Sequence, residues 1–373
     1  MSQRVAFYAP MKSPNYPTPS GDQRIARLFM GALAEAGYSV ELASELRCWE
    51  GQGERLQQGM IRQKAQAECE RLINDYGSLP KGQRPDYWFT YHLYHKAPDW
   101  IGPAVSKALG IPYVIAEASI ANKQRDGSWS AGWQQSRVAL GQAAAVVTLN
   151  PRDEPALHDC VLRERIHHLT PFLEYAPPPL SSRAVVADQF GMDPQATWLV
   201  TSAMMRPGDK LASYERLSCS LSGLSGQNWQ LLVIGDGKER EAVEALFADK
   251  SDRVFFAGEL SMNEIQHCLP ACDLFVWPAV NEAIGMAMLE ALNAGVPVLS
   301  GYSPALYPLS LQSPALTMLN GNDASSFEKE LGGMLNSPGM IRHAAESCHR
   351  LIRENCSLSA AAVRLRGILE PLL

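Results

Sequence analysis

No stretch of this 373-residue chain approaches the roughly 18 consecutive apolar residues of a membrane-spanning helix, so a transmembrane helix is not expected. Nor does it open on a basic region followed by an apolar core and a small-residue cleavage site, and a cytoplasmic location is the expectation. Its eight cysteines, at 48, 69, 160, 219, 268, 272, 348 and 356, include no CxxC pair, and a chain of this size needs no covalent staples; they read as reduced thiols. Cys268 and Cys272 lie one helical turn apart, but no second Cys or His pair completes a tetrahedral set, so no metal site is expected. Runs of five or more Lys or Arg are absent too. The net charge of -6 divides into 19 basic against 18 acidic residues up to residue 180 and 14 against 21 beyond it, which argues against a nucleic-acid partner. The near-neutral first half is still compatible with a local basic patch, and so with peripheral contact to lipid headgroups on the inner face of a membrane. No period of 20 to 50 residues repeats, which removes solenoids and propellers.

What is present is a globular composition, 46% hydrophobic and 19% charged, of a length that suits about two domains. Runs rich in Val, Ile, Phe and Tyr at residues 4–9, 39–43, 87–91, 113–116 and 145–149 predict strands, with helical stretches between them. In residues 22–36, Ile25, Leu28, Phe29, Ala32 and Leu33 make one apolar stripe, closed by Gly37 at the place of a left-handed helix end. Strands alternating with helices imply a parallel sheet covered on both faces. The segment TPFLEYAPPPLSSR, residues 170–183, then carries three consecutive prolines, which neither continue a helix nor donate to a central strand, and marks a linker. The alternation restarts with strands expected at 198–203, 230–234, 253–257, 273–277 and 297–300, and about three helical stretches beyond Asp323 read as a cap. The expected organisation is an α/β chain of two doubly wound domains facing a cleft, residues 1–175 and 176–373, the second carrying the C-terminal helices. Ligands of open parallel sheets bind beyond the carboxyl ends of the strands, which directs attention to the loops there.

The most informative loop lies in DLFVWPAVNEAIGMAMLEALNAGVPVLSG, residues 273–301, where a buried-type strand runs through a turn at Gly285 into a short helix begun by Met286. Small residues there let backbone N–H groups approach a ligand, and a helix N-terminus carries about half a positive charge, which suits a diphosphate. Glu282 precedes the helix and Glu290 falls on its second turn; an ideal helix would separate residues eight apart by about 12 Å, too far to share a proton or a metal. One carboxylate can address a sugar while the other accepts two hydrogen bonds from a ribose diol. Taken alone, the pair reads equally as a capping acid and a solvated helix residue. In TSAMMRPGDK, residues 201–210, Arg206 and Lys210 are basic, though RPGDK also has strong turn chemistry.

The stretch with Glu282, seven residues and Glu290 resembles the signature of glycosyltransferase family 4, retaining enzymes of the GT-B fold, built from two Rossmann-like domains. The likeness continues through LLVIGDGKERE, residues 231–241, and VFFAGELSMNEIQHCLPACDLFVWP, residues 254–278. It implies that Arg206 and Lys210 meet the donor diphosphate, that Gly285 and Met286 bring backbone to it, that Glu290 holds the ribose, and that Glu282 meets the donor sugar. No Asp-x-Asp pattern occurs, so the divalent-cation clamp of the other major nucleotide-sugar transferase fold is missing and a donor site without metal or other cofactor is implied.

The first half is similar in layout only. PTPSGDQRIARLF, residues 17–29, puts Gly21 in the loop after the first strand, where family members approach the phosphates with backbone N–H groups. PYVIAEAS, residues 112–119, departs from the pattern, because relatives often carry a sugar-contacting His at this strand end and here Glu117 stands with Ala118. His92 or His95, in TYHLYHKAPDW, is a substitute on the acceptor or sugar side, with an ordinary hydrogen-bonding role as the alternative. GDGKER lacks the last glycine of a dinucleotide fingerprint, which disfavours a nicotinamide enzyme. The loop IANKQRDGSWSAGW, residues 120–133, mixes basic and aromatic residues as sugar or headgroup sites do, and reads equally as a plain surface loop. The resemblance implies a retaining glycosyltransferase acting on a UDP- or GDP-linked sugar and an unidentified acceptor, in glycan, polysaccharide or glycolipid biosynthesis. The alternatives are a nucleotide-sugar-binding protein without turnover and a nucleotide-sugar epimerase.

Overall fold

The computed structural model describes residues 2–18, 20–177, 182–319 and 323–373. The chain divides into two compact units: Met1–Thr170 with Leu358–Leu373, and Pro171–Ser357. Of the three linker prolines, Pro178 and Pro179 lie outside the described residues.

The first unit is one parallel sheet of β1 (Arg4–Tyr8), β2 (Ser39–Ser44), β3 (Tyr87–Leu93), β4 (Tyr113–Ala118), β5 (Ala145–Thr148) and β6 (Ile166–His168), in the order β2-β1-β3-β4-β5-β6. The second holds β7 (Thr197–Ser202), β8 (Trp229–Ile234), β9 (Val254–Gly258), β10 (Leu274–Trp277), β11 (Val298–Gly301) and β12 (Leu316–Leu319), in the order β12-β11-β10-β7-β8-β9. Strands buried on both faces need apolar residues at every position rather than alternately, and β5 (AVVT) and β10 (LFVW) are buried throughout. Ten of the twelve described strands stand where the strand-like runs of the sequence predict them. The two that the sequence conceals, β6 and β12, are short edge strands; β6 is IHH, and its half-exposed His167 takes its place there as sheet edge. Among the described residues no helix is long and apolar enough to cross a membrane.

Each sheet begins with one strand and grows outward from it in both directions. In the first, β1 leads to β2 on one side and the chain then crosses to β3 on the other. In the second, β7 leads to β8 and β9 before the chain returns to β10 on the other flank of β7. The loops after β1 and β3, and those after β7 and β10, therefore leave in opposite directions and open a crevice at the strand ends, the place where open α/β sheets take ligands.

The sequence expectation fails for the last helix, Leu358–Leu369, which belongs to the first unit and not to the second half. Its Leu358 side chain meets the helix Gly21–Glu35 at Gly31, the Arg366 Nε donates to the Ala36 carbonyl at 2.8 Å, and the Leu369 carbonyl accepts from the Tyr87 hydroxyl at 3.0 Å. These partners are contributed by the first hundred residues, and adjacency in sequence gives no hint of them.

The middle of β3 and the start of β4 are tied by one buried carboxylate. Asp99 Oδ1 accepts from the Ile101 and Gly102 amides at 2.9 and 2.7 Å, while Oδ2 accepts from the hydroxyls of Thr90 at 2.6 Å and Tyr113 at 2.8 Å. A Cβ at Gly102 would lie 2.3 Å from Oδ2, so only glycine fits beneath it. Truncating Asp99 strands two amides and two hydroxyls in a dry site. Asp99→Ala should cost about 3 to 5 kcal/mol of unfolding free energy, read as a lower denaturant midpoint.

Candidate functional site

The crevice of the second sheet gathers most of the residues singled out in the sequence. The loop after β7 is shaped by its neighbour after β8: the Ala203 amide donates to the Ile234 carbonyl at 3.0 Å and the Met205 amide to the Asp236 carbonyl at 2.9 Å. A Cβ on Gly235 would stand 2.0 Å from the Ala203 carbonyl oxygen, and one on Gly237 2.2 Å from that of Met205. The glycines of GDG thus serve close approach of two backbones, which makes GDGKER a scaffold for the loop that carries Arg206. Arg206 itself is exposed, and its guanidinium has no protein partner among the described residues.

Lys210 lies in the first turn of the helix Asp209–Ser222 and reaches Glu282, Nζ to Oε2 at 2.7 Å. The same oxygen accepts from Trp277 Nε1 at 3.1 Å, and the Lys210 ammonium stands 5.3 Å from the centre of the Trp277 ring. Both charged side chains are mostly covered, at 24% and 16% exposure, so the pair is shielded from the screening that weakens surface ion pairs. An ammonium has three N–H groups and this one uses one on Glu282, so Lys210 retains donors for an incoming anion.

The loop from Trp277 to the next helix is held against the Lys210 helix. Ser213 Oγ accepts from the Val280 amide at 3.0 Å while donating to the Asp209 carbonyl at 2.7 Å, and Asn281 Nδ2 donates to Asp209 Oδ1 at 3.1 Å. Asn281 takes a left-handed φ of 49°, one of three non-glycine residues with positive φ among those described. At Gly285, φ is 79° and a Cβ would meet the Met288 and Leu306 side chains at 2.5 and 2.8 Å, so glycine is required where the helix Met286–Asn293 starts. No side chain caps this helix, whose first-turn N–H groups carry about half a positive charge. Glu290 lies half-buried on its second turn. Cys268 and Cys272 are buried in the core of this unit as free thiols.

The other two non-glycine residues with positive φ are His92 (61°) and Glu117 (56°). They face one another across β3 and β4, between the pairings Tyr91 with Ala116 and Leu93 with Ala118. Left-handed geometry costs a side-chain-bearing residue roughly 1 to 3 kcal/mol, so two on neighbouring strand ends mark a constrained site. His92 Nδ1 is 2.8 Å from Oδ1 of Asp22, the residue after Gly21 in the first turn of the helix Gly21–Glu35. Hydrogen bonding to His92 is the main cause that holds the Asp22 carboxyl below its ordinary range, against the opposing effect of burial. Ser20 caps this helix by accepting from the Gln23 amide at 3.3 Å, and Gly21 is exposed with open space around it. Glu117 accepts from the Leu149 amide, and burial raises its pKa to about 7 despite that bond and the nearby His92. Burial likewise raises Asp153. The first unit thus assembles Gly21, His92 and Glu117 at the crevice of its own sheet, together with Asp22, which the sequence quoted without a role. Trp277, Ser213 and Asp209 were also missed in the second unit; as core, hydroxyl and turn residues they have no distinguishing pattern.

Residues 212–306, which include Trp277, Glu282, Gly285 and Glu290, match the family described as glycosyl transferases group 1. A GDP-mannose-dependent monoacylated alpha-(1-6)-phosphatidylinositol monomannoside mannosyltransferase of Corynebacterium glutamicum is 32% identical over 123 residues, 31% of this chain and 32% of that protein. The chain aligns with about a third of the length of the curated relatives it matches first. Solved structures are similar over nearly the whole chain. A sucrose-phosphate synthase from Thermosynechococcus elongatus superposes with a TM-score of 0.72 at 16% identity, covering 99% of each chain. The Anabaena protein HepE in complex with UDP-glucose gives 0.69 at 12%, covering 99% of this chain and 100% of that one. The fold is GT-B.

Glu117 supplies a pH signature for the first unit. Its folded pKa of about 7 lies above the ordinary 4.5, so the folded state holds the proton more tightly. That contribution is fully present below about pH 4.5 and is lost as pH rises through 7. Stability should fall across this interval by up to about 3 kcal/mol from this group. Glu117→Gln should flatten the profile, measured by chemical denaturation at a series of pH values.

Proposed function

We propose that the chain is a retaining glycosyltransferase that moves a sugar from a UDP- or GDP-linked donor to an acceptor hydroxyl. The observation that carries this reading is the crevice of the second sheet, where Arg206, Lys210 and an uncapped helix N-terminus bring positive charge to loops that also hold Glu282. The family match over residues 212–306 supports it. Retention rests on the resemblance of the Glu282 to Glu290 stretch to family 4.

In this reading the bond between the anomeric carbon and the diphosphate oxygen breaks, and the acceptor oxygen bonds to the same face of that carbon. The acceptor proton passes to the departing diphosphate. Charge on the leaving group grows along this path, so cations aimed at it stabilise the transition state more than the ground state. Arg206, with no protein partner among the described residues, and Lys210, with unused donors, take that role alongside the N–H groups around Gly285 and Met286. Glu282 faces the positive charge developing on the donor sugar, and Glu290 accepts from the ribose hydroxyls. The cations do a metal's electrostatic work, which makes the donor site metal-independent. The acceptor belongs to glycan, polysaccharide or glycolipid synthesis, reached in the cytoplasm or at the inner face of a membrane.

The two acids should separate in kinetics. Glu290→Gln should weaken binding of the free nucleotide diphosphate by roughly 1.5 to 3 kcal/mol, seen by calorimetry and as a raised KM. Glu282→Gln should depress kcat while nucleotide diphosphate binding stays near wild type. Wild-type behaviour of both variants would remove this assignment. Transfer should also continue in excess chelator; loss restored by magnesium or manganese would contradict a metal-independent site. Product analysis with and without acceptor distinguishes transfer from binding alone and from epimerisation.

A further inference from the structure

The group at the crevice of the first sheet has an arrangement that the donor chemistry does not use. His92 lies at the end of β3 and Asp22 in the first turn of the helix that follows β1; these are the two strands that part at the switch, and the two side chains meet at 2.8 Å. The bond engages Nδ1 only. Nε2 has no protein partner among the described residues, and the His92 and Asp22 side chains are 28% and 31% exposed. The helix that bears Asp22 already has its cap in Ser20, so the Asp22 carboxylate is not needed for that purpose. The ring is steadied on both sides, with Tyr91 at 5.7 Å and Tyr94 at 5.5 Å between centroids. The charge of the imidazole is felt by Glu117 on β4 and by Asp153 in the loop after β5, and that of Lys12, in the loop after β1, by Asp22.

We propose that Asp22 is a positioning residue, which accepts the Nδ1 proton of His92 and thereby presents Nε2 as a hydrogen-bond acceptor to the acceptor hydroxyl. A neutral imidazole has one donor and one acceptor nitrogen, and a carboxylate can only accept, so the pair fixes which nitrogen keeps its lone pair. Held at Nε2 in the ground state, the acceptor hydroxyl keeps its oxygen lone pairs for the sugar, and as the new C–O bond forms its proton leaves Nε2 for the departing diphosphate oxygen, so His92 orients the hydroxyl and gains no proton. The left-handed turns at His92 and Glu117 set the ring at the strand end, where a regular strand would send consecutive side chains to opposite faces. This assignment rests on the transfer reading above and adds to it the group that orients the second substrate.

The experiment uses the full chain, unlabelled and with 15N-labelled histidine. Long-range 1H–15N spectra of the wild type should show His92 protonated at Nδ1 and bare at Nε2. Asp22→Asn, whose amide can donate to Nδ1, should reverse that tautomer in part. Transfer to octyl glucoside, from UDP-glucose or GDP-mannose, whichever the wild type consumes, should lose at least tenfold in kcat in Asp22→Asn and in His92→Gln. Hydrolysis of the same donor by water and calorimetric binding of UDP or GDP should stay within twofold, and Asp22→Glu should recover part of the transfer. A His92 protonated at Nε2 in the wild type would overturn the proposal, as would unchanged transfer in Asp22→Asn or equal losses of transfer and hydrolysis. Absence of nucleotide binding and of donor turnover in the wild type would instead overturn the transferase reading, with the tautomer still deciding the Asp22–His92 arrangement.

Discussion

A parallel sheet that grows in both directions from its first strand has one place where neighbouring loops diverge, and both units of this protein gather their candidate site residues there. In the second unit the crevice is fixed by β7 and β10. Arg206 and Lys210 follow the first of these strands, and Glu282 and Gly285 follow the second, so residues about seventy apart in sequence become neighbours, as the 2.7 Å contact of Lys210 with Glu282 shows. In the first unit β1 and β3 do the same for Asp22 and His92, again seventy apart. Every other feature of the candidate site, including which charges face one another, follows from that strand order.

The loops at these crevices are held rigidly, by backbone more than by side-chain packing. Gly235 and Gly237 let the loop after β8 press onto the loop after β7 at distances that exclude any Cβ. Ser213 ties the loop after β10 to the neighbouring helix through two hydrogen bonds, one accepted and one donated. All three left-handed non-glycine residues described, His92, Glu117 and Asn281, lie in or beside these loops. Strain persists only where the surroundings over-determine a conformation, so its concentration here argues that these loops were shaped for a ligand and not for the core.

The two crevices also differ in electrical character. The second combines two basic side chains and a helix N-terminus with Glu282, which suits a group that departs with negative charge. The first pairs His92 with Asp22, within electrostatic reach of the Glu117 and Asp153 carboxyls. Such a setting suits recognition of hydroxyl hydrogens, for which acceptors are needed, and it repels a second anion. On the transferase reading this is a division of labour between a site that stabilises a leaving group and a site that orients a neutral nucleophile.

How much of this could be read in the sequence depended on whether the determining contacts were local. Central strands such as β5 and β10 were legible because parallel strands buried on both faces must be apolar throughout, whereas IHH and LTML at the sheet edges have no such requirement. The Glu282 to Glu290 stretch was legible because a strand, a turn through Gly285 and a short helix place their residues by local geometry. The helix Leu358–Leu369 was misassigned because its partners, Gly31, Ala36 and Tyr87, are more than 270 residues away. Asp22 went unremarked for the same reason. An aspartate in a first helical turn has a sufficient local explanation in the helix dipole, and nothing in the sequence around it indicates that its carboxylate turns instead to a histidine on another strand. The left-handed turns at His92 and Glu117 were equally hidden, since each follows directly on an apolar run and neither is a glycine, the usual residue for positive φ.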